Sequence, residues 1–543
     1  MKRFTFALFT AVQLIIVSLL LFAAGSTDYY IKRDQLYPNT VYAAAGLVLT
    51  VLLCLVIKIS GGRLEGFLTR HLRPVIFFTL LLFFLISAAL DISGFFYSDW
   101  DPMAVLYAAF ELVQGKGEIL TDAYLSNHPN NLLLVWIYSM VLKAAGMAGQ
   151  GSVLAIVVFQ CIISTLTAFI VWRIMSDIYI GSRVMPYVGL ILYEVWIGLS
   201  PWFIVTYSDQ AGIIFPVLIL RLSQRISQSR DRGRLAGSNH LWGAVSLVAG
   251  TGYFIKPQIV IAYIAVLLFN FLDCLDREVK HTRVLKNGGN KAGLMKRGAV
   301  IAVISGVCFI LSFFLVRGIV FPSMRIDIDA DRSFGMAHYF MMGLNRETDG
   351  VYSDEDTLYT DSFDSPEKKR EADMELAWQR IREYGPAGIA GHAGRKTLVN
   401  YNDGLFSWGV DGRFFAGREA EDLGNVEKTP LTDAVWSFIL PEGADHGKYS
   451  SMLQMFWIMI LLMCIVSGGV VGGHLLREGK KPPGGGIPVP DDIYIVMLAL
   501  TGLFFFELLF EAKARYLFIY TPYYLILSVY GLFAVLKRLK WVQ

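Results

Sequence analysis

Apolar segments of about 20 residues, the length an α-helix needs to cross a bilayer core, recur along nearly the whole chain. Short polar stretches separate them. The pattern predicts an all-α polytopic membrane protein with about 12–13 transmembrane helices. The predicted spans are residues 4–24, 41–59, 74–96, 131–148, 152–172, 186–204, 208–222, 241–256, 258–274, 299–317, 452–476, 491–510 and 514–536.

One polar stretch is much longer than the others and covers residues 318–450. It contains acidic turns and a charged, solvent-exposed helical pattern over residues 366–384. We therefore expect a folded, α-rich extracytoplasmic insert. This insert separates an N-terminal transmembrane body, residues 1–317, from the C-terminal transmembrane helices, residues 451–543. The N-terminal body carries a polar loop at residues 97–130.

Lys and Arg residues set the expected orientation, because basic loops stay on the cytoplasmic side during insertion. They concentrate around residues 58–73, 221–234 and 277–297, and near the C-terminus. The chain is therefore expected in the plasma membrane, with both termini cytoplasmic and the polar loop and the insert outside. Residues 1–24 are expected to stay as a helix rather than to be cleaved as a signal peptide, because the apolar run is long for a signal core.

The three spans predicted between residues 131 and 204 conflict with this orientation. Both ends of that region are expected outside, and an odd number of crossings does not return a chain to the same side. One of the three segments is therefore expected not to cross.

Composition supports the membrane assignment. Hydrophobic residues make up 55% of the chain and charged residues 17%, whereas about a quarter of the residues in soluble domains are charged. Lipid is thus expected around most of the chain. The net charge of +3 is too small to indicate a nucleic-acid partner.

Two carboxylates lie in the first polar loop, at Asp99 and Asp101, with Trp100 between them and Pro102 after them. They can act together on a proton or a cation only if a turn or a helix start brings them to one side, and Pro102 favours such a start. The alternative is that one of them caps the helix that follows. Both interpretations stay open from the sequence.

Other candidates lie at the end of the same loop and in the remaining external loops. His128 precedes Asn130 and could orient a phosphate or carry a proton, or simply hydrogen-bond at the membrane surface. Asp209 and Lys256 interrupt apolar regions, where ionisable side chains are costly and often functional. They could serve as an acid or base and a phosphate partner, or as an ion pair that satisfies itself.

The last polar group contains Glu511, Arg515 and Tyr516. An arginine fixed at the membrane surface presents a planar fork that suits phosphate oxygens. A Glu511–Arg515 ion pair that closes the turn between two spans is the structural alternative, and the two roles are compatible.

Four motifs together resemble the type-C glycosyltransferase superfamily, in particular the branch of protein O-mannosyltransferases and lipid A aminoarabinose transferases. The motifs are Asp99-Trp-Asp101-Pro102, Tyr-Leu-Ser-Asn-His128-Pro-Asn130-Asn, Ser200-Pro201 followed by Tyr207-Ser-Asp209, and Glu511-Ala-Lys-Ala-Arg515-Tyr516-Leu-Phe-Ile-Tyr-Thr-Pro522. The last is the most specific. The resemblance covers residues 75–536.

The resemblance implies transfer of a sugar, with inversion, from a polyprenyl-phosphate carrier to a glycan, lipid or protein acceptor on the outer face. Asp101, or else Asp99, would be the general base. Lys256 and Arg515 would stabilise the departing phosphate. The substrate-binding residues would further include His128, Asn130, Asp209, Glu511 and Tyr516.

A divalent metal, Mg or Mn, held by Asp99 and Asp101 stays an open question. In that superfamily the acidic motif usually follows the first span and its two acids are adjacent. Here the motif follows the third predicted span, and Trp100 separates the two acids. Two other functions compete with the transferase. Acids within predicted spans, namely Asp91, Glu194 and Glu507, would suit a flippase or transporter of lipid-linked sugars. A non-catalytic assembly subunit that presents the insert to a partner is the third possibility.

Overall fold

The computed structural model describes residues 2–23, 35–115, 122–146, 152–179, 181–231, 238–284, 291–411, 415–420, 423–476 and 489–542. Almost all of this is helical. The helices are α1 (Lys2–Phe22), α2 (Asn39–Gly94), α3 (Asp101–Gln114), α4 (Asp122–Asn127), α5 (Leu132–Ala144), α6 (Leu154–Ile178), α7 (Val184–Tyr193), α8 (Ser208–Gly212), α9 (Ile214–Asp231), α10 (Asn239–Tyr253), α11 (Val260–Val284), α12 (Lys291–Leu315), α13 (Phe321–Met324), α14 (Met336–Gly343), α15 (Asp354–Asp361), α16 (Pro366–Tyr401), α17 (Trp408–Asp411), α18 (Thr432–Ile439), α19 (His446–Leu476), α20 (Asp491–Leu509) and α21 (Thr521–Arg538).

The predicted fold class, an all-α polytopic membrane protein, is confirmed. Among the described residues, 7 helices are long and apolar enough to cross a membrane. They are Lys2–Phe22, Asn39–Gly94, Leu154–Ile178, Gly298–Met324, His446–Leu476, Asp491–Leu509 and Ala514–Arg538. The remaining predicted spans fall on α5 and on α7 to α11, and Asn39–Gly94 covers two predicted spans, so fewer helices meet this criterion than the predicted 12–13.

Helix α2 corrects one predicted loop. Residues 60–73 were expected to form a basic loop between two spans, but they are helical within a single element of 56 residues. Lys, Arg, Leu and Glu favour helix, so the basic segment has no reason to unwind. A bend at His71 (φ −125°, ψ 25°) precedes Pro74, which is tolerated in the first turn of a new helical run.

Both ends of α2 nevertheless lie at the same end of the membrane body. Asn39 Nδ2 donates to Asn402 Oδ1 at 2.5 Å, and Trp436 Nε1 donates to the Gly94 carbonyl at 3.0 Å. Asn402 and Trp436 belong to the insert, and we call this end the insert face. Lys58, near the middle of α2, lies over the Trp541 ring at 4.4 Å at the other end, the opposite face. The two arms of α2 therefore run in opposite directions, as expected for two spans.

The region between residues 131 and 204 contains one helix that is too short to cross. Helix α5 has 13 residues, about 20 Å, against a hydrocarbon core of about 30 Å. Helix α6 has 25 residues and ends at the opposite face, where Asp177 pairs with Arg221 at 2.6 Å. Helix α7 begins beside Glu65 of α2 at the same face. The crossings are thus α6 and the segment that begins with α7, and α5 stays at the insert face.

The insert is tied to the end of α2 and to the first polar loop. Strand β1 (Tyr97–Ser98) pairs antiparallel with β2 (Phe415–Gly417), and β3 (Glu419–Ala420) pairs with β4 (Gly424–Asn425). The Arg418 guanidinium donates to the carbonyls of Ser93 at 2.9 Å and Phe95 at 2.7 Å. These bonds satisfy carbonyls that the end of a helix leaves open.

Helix α16 extends beyond the predicted 366–384 and reaches Tyr401. It bends at Gly385, whose φ of 59° suits glycine, and Pro386 starts the second half. The second half returns to the membrane body and brings Lys396 against the end of α20.

Parts of the basic loops that predict the orientation lie outside the described residues, as do the side chains of residues 273–297 and the end of the first predicted span at residue 24.

Candidate functional site

Most of the predicted site residues meet at the insert face. Each stands at or beside a helix end, where the chain enters or leaves an apolar segment. Asp101 begins α3, Asp209 lies in α8, Lys256 precedes a short 3-10 helix, and Arg515 lies in the 3-10 helix Ala514–Tyr520. We call Asp101, His128, Asp209, Lys256, Glu511 and Arg515 the insert-face site.

Asp101 is held by a tyrosine from another loop. The Tyr207 hydroxyl donates to Asp101 Oδ2 at 2.9 Å. Trp100 occupies the cap position before α3 with an extended backbone, and its side chain makes no capping bond. The alternative in which one of the acids caps this helix is therefore not what the structure has. Asp101 instead lies in the first turn, where the helix dipole favours a negative charge.

Asp99 differs from Asp101 in its surroundings, because its side chain is exposed. Within the described ranges, no group of three or more His, Cys, Asp or Glu side chains is arranged to hold a metal ion. Asp99 and Asp101 would offer a metal only two carboxylates, and we derive no step through a metal.

The loop before α5 lines the same site. Asn131 Nδ2 donates to the Tyr124 hydroxyl at 2.8 Å, and Asn130 Nδ2 donates to Asn131 Oδ1 at 3.3 Å. Asn131 therefore connects Asn130 to Tyr124. The His128 ring packs between Tyr124 and Phe334 of the insert, at centroid distances of 5.0 and 5.6 Å. Burial lowers the pKa of His128, although the nearby Asp101 carboxylate opposes this, so the ring is neutral at pH 7.

Asp209 and Lys256 form a buried ion pair. The Asp209 side chain is 0% exposed and that of Lys256 8%. Arg515 Nε lies 3.5 Å from the other oxygen of the same carboxylate. The predicted Asp209–Lys256 pair is therefore present, but a second cation shares the acid. Two cations therefore share the Asp209 carboxylate.

Aromatic rings surround the Arg515 guanidinium. Its central carbon is 4.5 Å from the ring centroid of Trp100, 5.1 Å from Tyr207 and 5.7 Å from Trp202. Such contacts stabilise a cation and exclude water from it. Tyr207 thus touches Arg515 with its ring and Asp101 with its hydroxyl, and it joins the acid to the cations.

Glu511 and Tyr516 are partners of each other. The Tyr516 hydroxyl donates to Glu511 Oε2 at 2.8 Å, and the Tyr516 ring lies 4.8 Å from Lys256 Nζ. Burial raises the pKa of Glu511, and the charge of Lys513 opposes the rise. Arg515 also pairs with Asp209, a contact that the sequence interpretation did not expect.

The sequence interpretation missed the aromatic wall of the site, namely Trp100, Tyr124, Trp202 and Tyr207. The sequence did contain a signal for this wall, because each of these aromatic residues lies within or next to a motif that contains a candidate charged residue. Aromatic residues are common at membrane surfaces, however, and sequence alone does not separate an anchor from a site wall.

A large groove begins beside the site, between the insert and the membrane body, with a volume of about 1400 Å³. It shares the loop of His128 through Ser126 and Pro129, and the loop of Glu511 through Phe510. Its apolar lining includes Leu132, Phe321, Met336 and Phe340, and its charged lining includes Arg317, Lys369, Arg370 and Asp373. The groove suits a long molecule with an apolar tail and an anionic head.

The insert also fixes the loop that carries Glu511 and Arg515. Lys396 Nζ donates to the carbonyls of Gly343 at 2.9 Å and Leu508 at 3.0 Å, and it also reaches that of Phe510. The Ala512 amide donates to the Gly350 carbonyl at 2.7 Å. A lysine at the C-terminal end of a helix satisfies its open carbonyls and its dipole.

Comparison with curated proteins and with solved structures finds no match. The chain does match, over residues 1–533, the family described as conserved hypothetical integral membrane protein. The match covers nearly the whole chain, including the insert and every residue of the insert-face site. The chain therefore belongs to this family of integral membrane proteins.

Proposed function

We propose that the protein is a glycosyltransferase that moves a sugar from a polyprenyl-phosphate carrier to an acceptor hydroxyl at the insert face. One observation carries the proposal: Tyr207 joins a carboxylate, Asp101, to an arginine, Arg515, that is walled by aromatic rings. A base and a fixed cation side by side match the two demands of this reaction.

Asp101 takes the proton of the acceptor hydroxyl. The oxygen then attacks the anomeric carbon, while the bond from that carbon to the carrier phosphate breaks and its electron pair leaves with the phosphate. The configuration inverts because attack and departure occur on opposite sides. Lys256 and Arg515 stabilise the charge that develops on the phosphate, and the burial of their shared site strengthens this effect.

The groove supports a lipid-linked donor. Its apolar residues would take the polyprenyl chain, and its basic residues Arg317, Lys369 and Arg370 lie where an anionic head would enter. Burial favours the neutral form of His128, which would hydrogen-bond the sugar or phosphate without adding charge. The insert forms one side of the groove, so we propose that it also contributes to the choice of acceptor.

The transporter alternative has less support. Asp91 lies within one turn of the end of α2, and Glu507 within one turn of the end of α20, both at the insert face. The Cys161 thiol donates to Asp91 at 3.2 Å, and Gln258 donates to Glu507 at 3.3 Å. Transporter sites lie near the middle of the bilayer. Asp91 and Glu507 instead lie at the insert-face ends of their helices with local partners, whereas Glu194 is buried within the segment that begins with α7.

The test is release of carrier phosphate from a panel of synthetic polyprenyl-phosphate sugars by the purified protein. We expect release by the wild type and a loss of 10²-fold or more, roughly, in Asp101→Asn. The matched control is Asp99→Asn, two residues away and exposed, which should keep its activity. Loss in Asp99→Asn alone would move the base to Asp99. No release with any donor would reject the proposal, and parallel assays with a chelator address the metal question.

A further inference from the structure

A second polar cavity lies at the opposite face, far from the insert-face site. Its volume is about 560 Å³, and three arginines line it: Arg173 of α6, Arg183 before α7, and Arg225 of α9. Hydroxyls of Thr69, Ser176 and Ser182 also line it. We call this cavity, with these residues, the opposite-face pocket.

The carboxylates of the pocket are bound to groups in its wall. Glu65 accepts the backbone N–H of Arg183 at 2.8 Å and that of Val184 at 3.1 Å, so it caps the start of α7. Asp177 accepts Arg221 at 2.6 Å and Gln228 at 2.8 Å. The acids therefore hold the wall together, while the arginines give the cavity a surplus of positive charge.

Arg183 binds Glu65 through its backbone N–H and not through its side chain. Its side chain is exposed at the mouth of the cavity. Arg173 enters from a neighbouring helix, and its guanidinium carbon lies 5.7 Å from the ring of Trp172. Planar guanidinium groups from separate elements, in a cavity that serine and threonine also line, suit the oxygens of a phosphate group.

We propose that the opposite-face pocket binds a phosphate mono- or diester. Two sources have this chemistry: the headgroup of an anionic phospholipid in the adjacent leaflet, and a soluble phosphate ester. Basic pockets between membrane helices take anionic headgroups in this manner. Most of the lining residues carry polar side chains, so the pocket binds the phosphate and its neighbouring hydroxyls, and an acyl chain stays outside.

The test uses the full-length protein in nanodiscs and in detergent, with phosphatidylglycerol, phosphatidylcholine and glycerol 3-phosphate as probes. Retained lipid is counted by native mass spectrometry. We expect the wild type to retain phosphatidylglycerol over phosphatidylcholine, and Arg173→Gln/Arg183→Gln to weaken that binding by roughly tenfold. The control Arg63→Gln/Lys540→Gln removes two exposed cations of the same face that do not line the pocket, and it should bind as the wild type does.

A competition experiment distinguishes the lipid headgroup from the soluble phosphate ester. Competition by millimolar glycerol 3-phosphate would assign the pocket to soluble esters, and its failure to compete would assign it to the lipid. If the double variant does not fold, Arg183→Gln alone serves, because the capping bonds use the Arg183 backbone. Equal binding of phosphatidylglycerol and phosphatidylcholine by the wild type, or unchanged binding in the pocket variants, would overturn the proposal.

Discussion

At the insert face Arg515 lies against aromatic rings and shares a buried carboxylate with Lys256, whereas at the opposite face the Arg183 side chain is exposed and lines an open cavity. Arginine therefore lies in a buried, low-dielectric environment at the insert face and in an exposed, high-dielectric environment at the opposite face. Charges in the first setting interact strongly and depend on each other, and charges in the second are screened by water and salt.

The difference sets the scale of every mutational effect. Removing one member of a buried charge group leaves its partners without compensation, which is costly. Removing an exposed cation costs little in stability, and its effect is confined to the ligand it binds. Substitutions at the two faces therefore test the comparison directly.

The largest effect is expected at Asp209. Asp209→Ala leaves Lys256 and Arg515 buried with no carboxylate between them, and it should lower the free energy of unfolding by about 3–5 kcal/mol. Thermal unfolding in detergent measures this. Asp209→Ala/Lys256→Met should recover part of the loss, because one of the two unpaired charges is gone. An additive loss in the double variant would contradict the coupling.

The next largest effect is on activity and rests on the proposed function. Arg515→Gln should lower the rate of carrier-phosphate release by roughly 10²–10³-fold, because a cation aimed at the leaving phosphate is lost. Lys428→Gln is the matched control, since Lys428 also faces a ring, that of Trp436 at 5.0 Å, but is exposed and distant from the site. Equal losses in the two variants would mean that Arg515 has no special role.

The fold could largely be predicted from the sequence because lipid imposes a simple rule on chain segments. Long apolar runs became the long helices, and the polar stretch at 318–450 contains the short helices and strands. The exceptions have local causes. A reversal between residues 60 and 73 was expected, but not that these residues stay helical up to a bend at His71, because the helix-forming residues there are also the basic residues of a loop. The short α5 is as apolar as a span, and only its length and contacts show that it stays at one face.

The sequence identified the charged residues of the candidate site and the Asp209–Lys256 ion pair, but not the other contacts that these residues make. Asp209 and Lys256 stood out because ionisable residues in apolar segments are rare. The role of Tyr207 depends on two contacts, to Asp101 and Arg515, that are distant in the sequence. Lys396 lies beyond the predicted helix 366–384, and only the return of α16 to the membrane body brings it to the carbonyl of Leu508. The opposite-face pocket joins three helices and the loop before α7, and it has no motif at all.

A smaller effect is expected at Lys396, which links the insert to the loop of Glu511. Lys396→Met leaves the carbonyls of Gly343 and Leu508 without this donor and should lower the free energy of unfolding by about 2 kcal/mol. Lys368→Met on the same helix is the control, because Lys368 is exposed and pairs only with exposed Asp364. A change of less than about 0.5 kcal/mol is expected there.

The Lys396 effect should also depend on pH. Burial lowers the pKa of Lys396 to about 7, below its value in the unfolded chain, about 10.4. Between these two values the unfolded state binds more protons, so the stability of the wild type relative to Lys396→Met should rise as pH increases from 7 to about 10. Parallel unfolding curves of the two proteins over that range check this, and a difference that falls with pH would contradict it.

The smallest effect is expected at the wall of the opposite-face pocket. Glu65→Ala removes the carboxylate that accepts the N–H groups of Arg183 and Val184, and the loss of this cap should cost about 1 kcal/mol. Arg183→Gln keeps the same backbone bonds and should stay within about 0.5 kcal/mol of the wild type. Unfolding of the two variants in detergent at low and high salt measures the difference. Equal losses would mean that the Arg183 side chain supports the wall. The contrast between a buried arginine at the insert face and an exposed one at the opposite face would then not hold for this residue.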